Sequence, residues 1–132
     1  MRIYLDSSAL VKLVQREAES DALRAYLRGN RADELVSSAL ARVEVVRSVL
    51  GGGAAAIAHA RRQLARMYLV ALDRDVLDRA ATLAPGSIIR SLDAIHLATA
   101  QLLAGELRAL VTYDVRMAHA SAGLGMLVET PR

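Results

Sequence analysis

Apolar positions along the chain follow two alternating periods. Short apolar runs of strand length occur at 2–6 ("RIYLD"), 33–38 ("DELVSS"), 67–72 ("MYLVAL"), 108–114 ("RALVTYD") and 125–129 ("GMLVE"). Between them, apolar residues recur at helical spacing over 8–15, 20–30, 39–50, 54–66, 73–84, 91–105 and 115–123. The punctuation agrees with these limits. Ser20 is a candidate cap and Gly29 a stop for the second helix, and Gly51–Gly53 ends the third. Acidic residues open 73–84, which stops before Pro85-Gly86, and Ser91 is placed to cap 91–105.

Strands that alternate with helices through short links predict an α/β fold with a central, mostly parallel sheet and helices on both faces. Such folds carry their sites at the carboxyl ends of the strands. The 132 residues fit one domain, 1–132, because a cut at the glycine triplet leaves neither half a useful sheet.

Composition narrows the function classes. The chain has no cysteine, which excludes a disulfide framework and thiolate zinc sites and agrees with a reducing, cytoplasmic setting. No apolar run approaches the roughly 18 residues of a spanning helix, and no signal-peptide pattern opens the chain, so no membrane association is expected. Net charge is +3, compatible with a nucleic-acid partner without demanding one. Lys12 is the only lysine among seventeen cationic residues. Four tyrosines are the only aromatics, so any RNA contact should rely on backbone and shape more than on base stacking.

Most acidic residues lie on polar faces or in first helical turns. Four stand apart. Asp6 ends the first strand and Asp114 the fourth, so in a parallel sheet both point to one edge. Each is also a natural helix N-cap. Asp93 opens a strongly apolar helix, where it complements the dipole or meets a cation. Glu44 lies between two valines, with Arg47 as a possible partner at i+3. Gathered together, Asp6, Glu44, Asp93 and Asp114 would repel one another unless a divalent cation joined them. An all-oxygen donor set suits Mg²⁺ or Mn²⁺, and the corresponding chemistry is metal-assisted phosphodiester hydrolysis.

The stretches "IYLDSSALVKL", "VSSALARVEVVRSV", "SLDAIHLATA" and "VTYDVRMAHA" together resemble the successive motifs of PIN-domain ribonucleases, and most of all the VapC toxins of type II toxin–antitoxin systems. The resemblance spans nearly the whole chain, in the family's order. It implies a three-layer α/β/α sandwich and a Mg²⁺- or Mn²⁺-dependent endoribonuclease acting on structured RNA. It also implies a VapB-type antitoxin and a homodimer. By position, Asp6, Glu44, Asp93 and Asp114 match the acidic quartet, and Thr112 a hydroxyl two residues before the last acid. Ser7 or Ser8 is placed to orient Asp6. On this reading Asp6, Asp93 and Asp114 hold a first metal ion, directly or through waters, and Glu44 orients a water or helps to hold a second. Arg116 contacts phosphate or, in the favoured reading, pairs with an acid.

Two other functions compete with this one. An aspartyl-phosphate phosphatase or receiver domain also places an aspartate at a strand end. The phosphatase wants a second aspartate where Ser8 stands, and both want a lysine near the site, whereas Lys12 lies six residues beyond Asp6, inside the first helix. A non-catalytic RNA- or protein-binding module conflicts with the collected carboxylates. His96, one turn after Asp93 on the same side of the helix, is either a ligand or, in the favoured reading, a hydrogen-bonded packing residue. His59 and His119 read as surface or edge residues without zinc spacing. The basic side at Arg61, Arg62 and Arg66 is a candidate RNA contact. Apolar residues on more than one side of 8–30 (Leu10, Val11, Leu13, Val14, Leu23, Tyr26, Leu27) are a candidate groove for an antitoxin helix.

Overall fold

In a computed structural model, which describes residues 1–132, five parallel strands form one sheet in the order β3-β2-β1-β4-β5. The strands are β1 (Arg2–Leu5), β2 (Glu34–Ser38), β3 (Tyr68–Val70), β4 (Leu107–Val111) and β5 (Val128–Glu129). The helices are α1 (Ser7–Val14), α2 (Ser20–Gly29), α3 (Ala41–Ser48), α4 (Gly53–Leu64), α5 (Arg74–Thr82), α6 (Ser91–Gln101) and α7 (Val115–Gly123). All five expected strands and seven expected helices are present. The elements are generally shorter than the apolar runs; β3, for example, spans Tyr68–Val70 within the run 67–72.

The strands alternate their side chains across the sheet. On one side Ile3, Leu5 and Val111 pack with Leu10, Leu23, Val45 and Leu64 from α1–α4. On the other, Tyr4, Val36 and Leu110 pack with Leu97 and Met117 from α6 and α7. Helices on both faces make the three-layer α/β/α sandwich. Ile3, Tyr4 and Leu5 have no exposed surface. Burying one such side chain contributes on the order of 1.5–3 kcal/mol, so β1 is the axis of the core. A small alanine seam of Ala80, Ala94 and Ala98 lets α5 lie close on α6.

Two expected caps are used differently. Ser20 is the first residue of α2, not its cap. Its hydroxyl donates to the Lys12 carbonyl at 2.7 Å and accepts from the Glu17 amide at 2.9 Å, which ties the end of α1 to the start of α2. Ser91 begins α6 but does not cap it; the Asp93 carboxylate instead accepts from the Arg90 amide at 3.3 Å.

The strand order places the site. From β1 the chain moves outward through β2 to the edge strand β3, then returns to the other side of β1 for β4 and β5. The reversal falls between β1 and β4, paired with Leu5 opposite Val111. A crevice forms at the carboxyl ends of the strands at such a switch point. Asp6 and Asp114 emerge on either side of it.

Candidate active site at the switch point

Asp6 follows the last residue of β1, and its amide donates to the Val111 carbonyl of β4 at 3.3 Å. Its side chain is buried, 3% exposed. Oδ1 accepts from the Ser8 hydroxyl at 2.6 Å and from the Ala9 amide at 3.0 Å, the latter as the N-cap of α1. Oδ2 accepts from the Thr112 hydroxyl. Burial raises the Asp6 carboxyl above its ordinary range, against the opposing pull of the Ser8 and Thr112 hydrogen bonds. No lysine or arginine hydrogen-bonds to it.

Thr112 joins the two aspartates. While donating to Asp6, its Oγ1 accepts from the Asp114 amide at 3.1 Å. Ser8 makes a second bridge, since its Oγ accepts from the Tyr113 amide at 2.9 Å. Asp114 is half-buried and caps α7: its Oδ1 accepts from the Arg116 and Met117 amides at 2.9 and 3.3 Å. Asp6 and Asp114 are thus both caps and both members of one network. Of the two serines beside Asp6, Ser8 holds it. Ser7 turns away and donates to Glu44 Oε1.

Glu44 reaches this edge from α3. His96 Nε2 lies 2.7 Å from Glu44 Oε1, and His96 Nδ1 lies 2.6 Å from the Tyr4 hydroxyl. Burial opposes ionisation of Glu44, but the hydrogen bonds from His96 and Ser7 outweigh it and lower the carboxyl below its usual value. Arg47, the alternative partner, makes no ion pair with Glu44. Asp93 is less connected. It sits one turn before His96 on α6, and its one hydrogen bond is the local one to the Arg90 amide.

Arg116 departs from the favoured reading. Only its backbone amide reaches Asp114; the side chain is exposed at the start of α7 and pairs with no acid. Its guanidinium remains available to a phosphate. Lys12 points to other work. Its ammonium pairs with Glu19 at 2.8 Å and Glu17 at 3.4 Å and lies 4.7 Å from the centre of the Tyr113 ring. The phosphate-acceptor reading of Asp6 therefore has no lysine to serve it.

No three acidic or histidine side chains converge closely enough here to grip one metal ion. The chemistry of the donors nevertheless fits a hard divalent cation. Asp6 and Asp114 share one hydrogen-bonded network, Glu44 joins the same edge through Ser7, and the groups bonded to Asp6 are hydroxyls and an amide, none of them cationic. His96 is the residue sequence reasoning undervalued. Its helical position showed a partner on one side, but its contact with Glu44 spans 52 residues.

The PIN domain family model matches residues 3–123. The chain is 55% identical over 129 residues to the ribonuclease VapC46 of Mycobacterium tuberculosis, covering 98% of this chain and 97% of that one. It is 40% identical over 131 residues to the ribonuclease VapC35 of the same species, covering 98% and 96%. Among solved structures, VapBC2 from Rickettsia felis, bound to a DNA fragment from its promoter, superposes with a TM-score of 0.76 at 15% identity over the full length of both chains. VapC20 of Mycobacterium tuberculosis, a sarcin–ricin loop cleaving toxin, superposes with a TM-score of 0.75 at 15% identity, over 98% and 99% of the two chains. At those identities the structural likeness speaks for the fold.

Proposed function

The chain belongs to the PIN-domain family, with VapC ribonucleases as its relatives, and from that premise we propose that it is an endoribonuclease toxin of a VapBC-type system. On this reading residues 1–132 act as one catalytic domain. The substrate is a structured RNA, and the cofactor is Mg²⁺, with Mn²⁺ as a substitute. The observation that carries the reading is the buried Asp6, tied through Thr112 to Asp114 at the switch point with no cationic side chain bonded to it.

Asp6, Asp93 and Asp114 would hold the cation, in part through bound waters, with Glu44 beside it. A bound divalent cation supplies Lewis-acid stabilisation of a phosphoryl oxygen and lowers the pKa of a water. The remaining work belongs to the chain. Thr112 and Ser8 hold the Asp6 carboxylate between β1 and β4. Glu44, ionised and anchored through Oε1, orients a water or a second ion. Arg116, exposed next to Asp114, meets a phosphate of the RNA.

A VapB-type antitoxin is the proposed partner, and a homodimer the proposed assembly. Support for the antitoxin comes from a cleft of about 370 Å³ between α1, α2 and α4. Leu13, Val14 and Leu27 line it and remain half-buried, while Leu10 and Leu23 belong to the core. Arg24, Arg28 and Arg66 border the same cleft, which suits an amphipathic helix with acidic residues on its flanks. No helix of the chain is long and apolar enough to cross a membrane.

The test is cleavage of total RNA and of RNA hairpins by the purified chain, with Mg²⁺ or Mn²⁺ and with a chelator. Metal-dependent internal cleavage that disappears in Asp6→Asn is the expected result. Phosphorylation of Asp6, or tight RNA binding with no cleavage under any metal, would overturn it.

A further inference from the structure

A hydrogen-bonded line runs from the core to the site and passes through His96. The Tyr4 side chain points from β1 into the second face of the sheet and is fully buried. Its ring meets the His96 ring edge-on, with centroids 5.8 Å apart at 76°. The Tyr4 hydroxyl contacts Nδ1, and Nε2 contacts Glu44 Oε1, with the Ser7 hydroxyl 3.2 Å from the same nitrogen. Four elements, β1, α6, α3 and the start of α1, are joined at one imidazole.

The direction of the line follows from its ends. A phenol buried among apolar side chains keeps its proton at neutral pH, so the Tyr4 hydroxyl has one to donate. An ionised Glu44 only accepts. A neutral imidazole satisfies both ends in one way: Tyr4 O–H donates to Nδ1, and Nε2–H donates to Glu44 Oε1. Ser7 donates to the same oxygen. Glu44 Oε2 accepts no hydrogen bond from the protein, so Oε1 is the anchored oxygen and Oε2 the working one. His96 is only 2% exposed, so water does not compete for this arrangement.

We propose that His96 is a positioning residue, which, held as the Nε2–H tautomer by Tyr4, fixes the Glu44 carboxylate and frees Oε2 for the reaction at the acidic edge. This deepens the ribonuclease reading and rests on it for its kinetic consequence. A packing role alone requires the ring's volume but not its tautomer or its donor.

The experiment has two arms. Long-range ¹H–¹⁵N NMR of the metal-free wild type reads the His96 tautomer directly; Nε2–H is expected, and Nδ1–H overturns the proposal. Kinetics with an RNA hairpin, Mg²⁺ and melting curves then compare His96→Asn, His96→Gln and Tyr4→Phe. A glutamine amide can stand where Nε2 stands, whereas asparagine reaches only the Nδ1 position. Loss of an outer hydrogen bond to a metal-site group costs roughly 10–100-fold. His96→Asn should therefore lower kcat by about tenfold or more with KM nearly unchanged, and His96→Gln should recover most of it. Tyr4→Phe should fall between them. Equal impairment of Asn and Gln, following Tm, reduces His96 to packing. If the wild type cleaves no RNA, the ribonuclease reading fails, while the tautomer still decides how Glu44 is held.

Discussion

Asp6 and Asp73 each follow an apolar strand and each cap the helix that comes next. Asp6 Oδ1 accepts from the Ala9 amide at 3.0 Å, and Asp73 Oδ1 accepts from the Val76 amide at 2.9 Å. Three residues separate acceptor and donor in both. The surroundings differ. Asp73 leaves the edge strand β3 and stays in solvent, with no bond beyond its own helix. Asp6 leaves the central strand, is flanked by β4, and receives hydroxyls from Ser8 and Thr112. The same local device stands in solvent at the edge of the sheet and inside a buried hydrogen-bonded network at its centre. What differs is the number of elements that close around the carboxylate.

The largest expected effect separates the two aspartates by activity. Asp6→Asn should reduce RNA cleavage by more than about 100-fold, exceeding the roughly 10–100-fold attached to outer partners of a metal ligand. Asp73→Ala should leave cleavage unchanged. A wild-type rate from Asp6→Asn would erase the distinction.

Thr112→Val is expected next, with a loss of roughly 10–100-fold, because it removes the donor to Asp6 and the acceptor for the Asp114 amide while keeping the side-chain volume. A steady-state assay beside a melting curve checks that the loss is not unfolding.

Stability should then show the opposite preference. Burial raises the Asp6 carboxyl, so the folded chain holds that proton to higher pH than the unfolded chain does. Without metal, the wild type accordingly loses stability as pH rises from the unfolded Asp value through the raised folded one. Asp6→Asn lacks this titration. Urea melts should find the variant more stable than wild type at neutral pH, with the gap closing in acid. Added Mn²⁺ should raise the Tm of wild type and not that of the variant. A gap that widens in acid would contradict the burial argument.

The smallest effect belongs to Asp73. Its replacement by alanine should cost about 1 kcal/mol of stability through the lost cap. A urea midpoint unchanged by Asp73→Ala would show that α5 does not need it.

The architecture was legible because its signals are local. Alternating short apolar runs and helical spacings identify β1–β5 and α1–α7 whatever lies around them. Asp6 and Asp114 were legible as strand-end carboxylates, and their pairing followed once both strands were taken as parallel neighbours. The roles of Ser7 and Ser8 were not legible. Adjacent serines look equivalent in sequence, and only the opening turn of α1 sends one hydroxyl to Asp6 and the other to Glu44. Arg116 misled for a similar reason: two residues from Asp114, it offers the carboxylate its amide and leaves its side chain in solvent.

By itself, then, the order of residues determined which positions are strands, which acids cap helices, and that the strand-end acids share an edge. Hydrogen bonding within a few residues and apolar periodicity carry that information. Tertiary structure alone decided that Thr112 would stand between Asp6 and Asp114, and that His96 would tie Tyr4 to Glu44. The bonds from Thr112 to Asp6 and from His96 to Tyr4 and Glu44 join groups 52 to 106 residues apart. They exist only because β1 occupies the centre of the sheet, where helices from both faces and the neighbouring strand meet a single strand end.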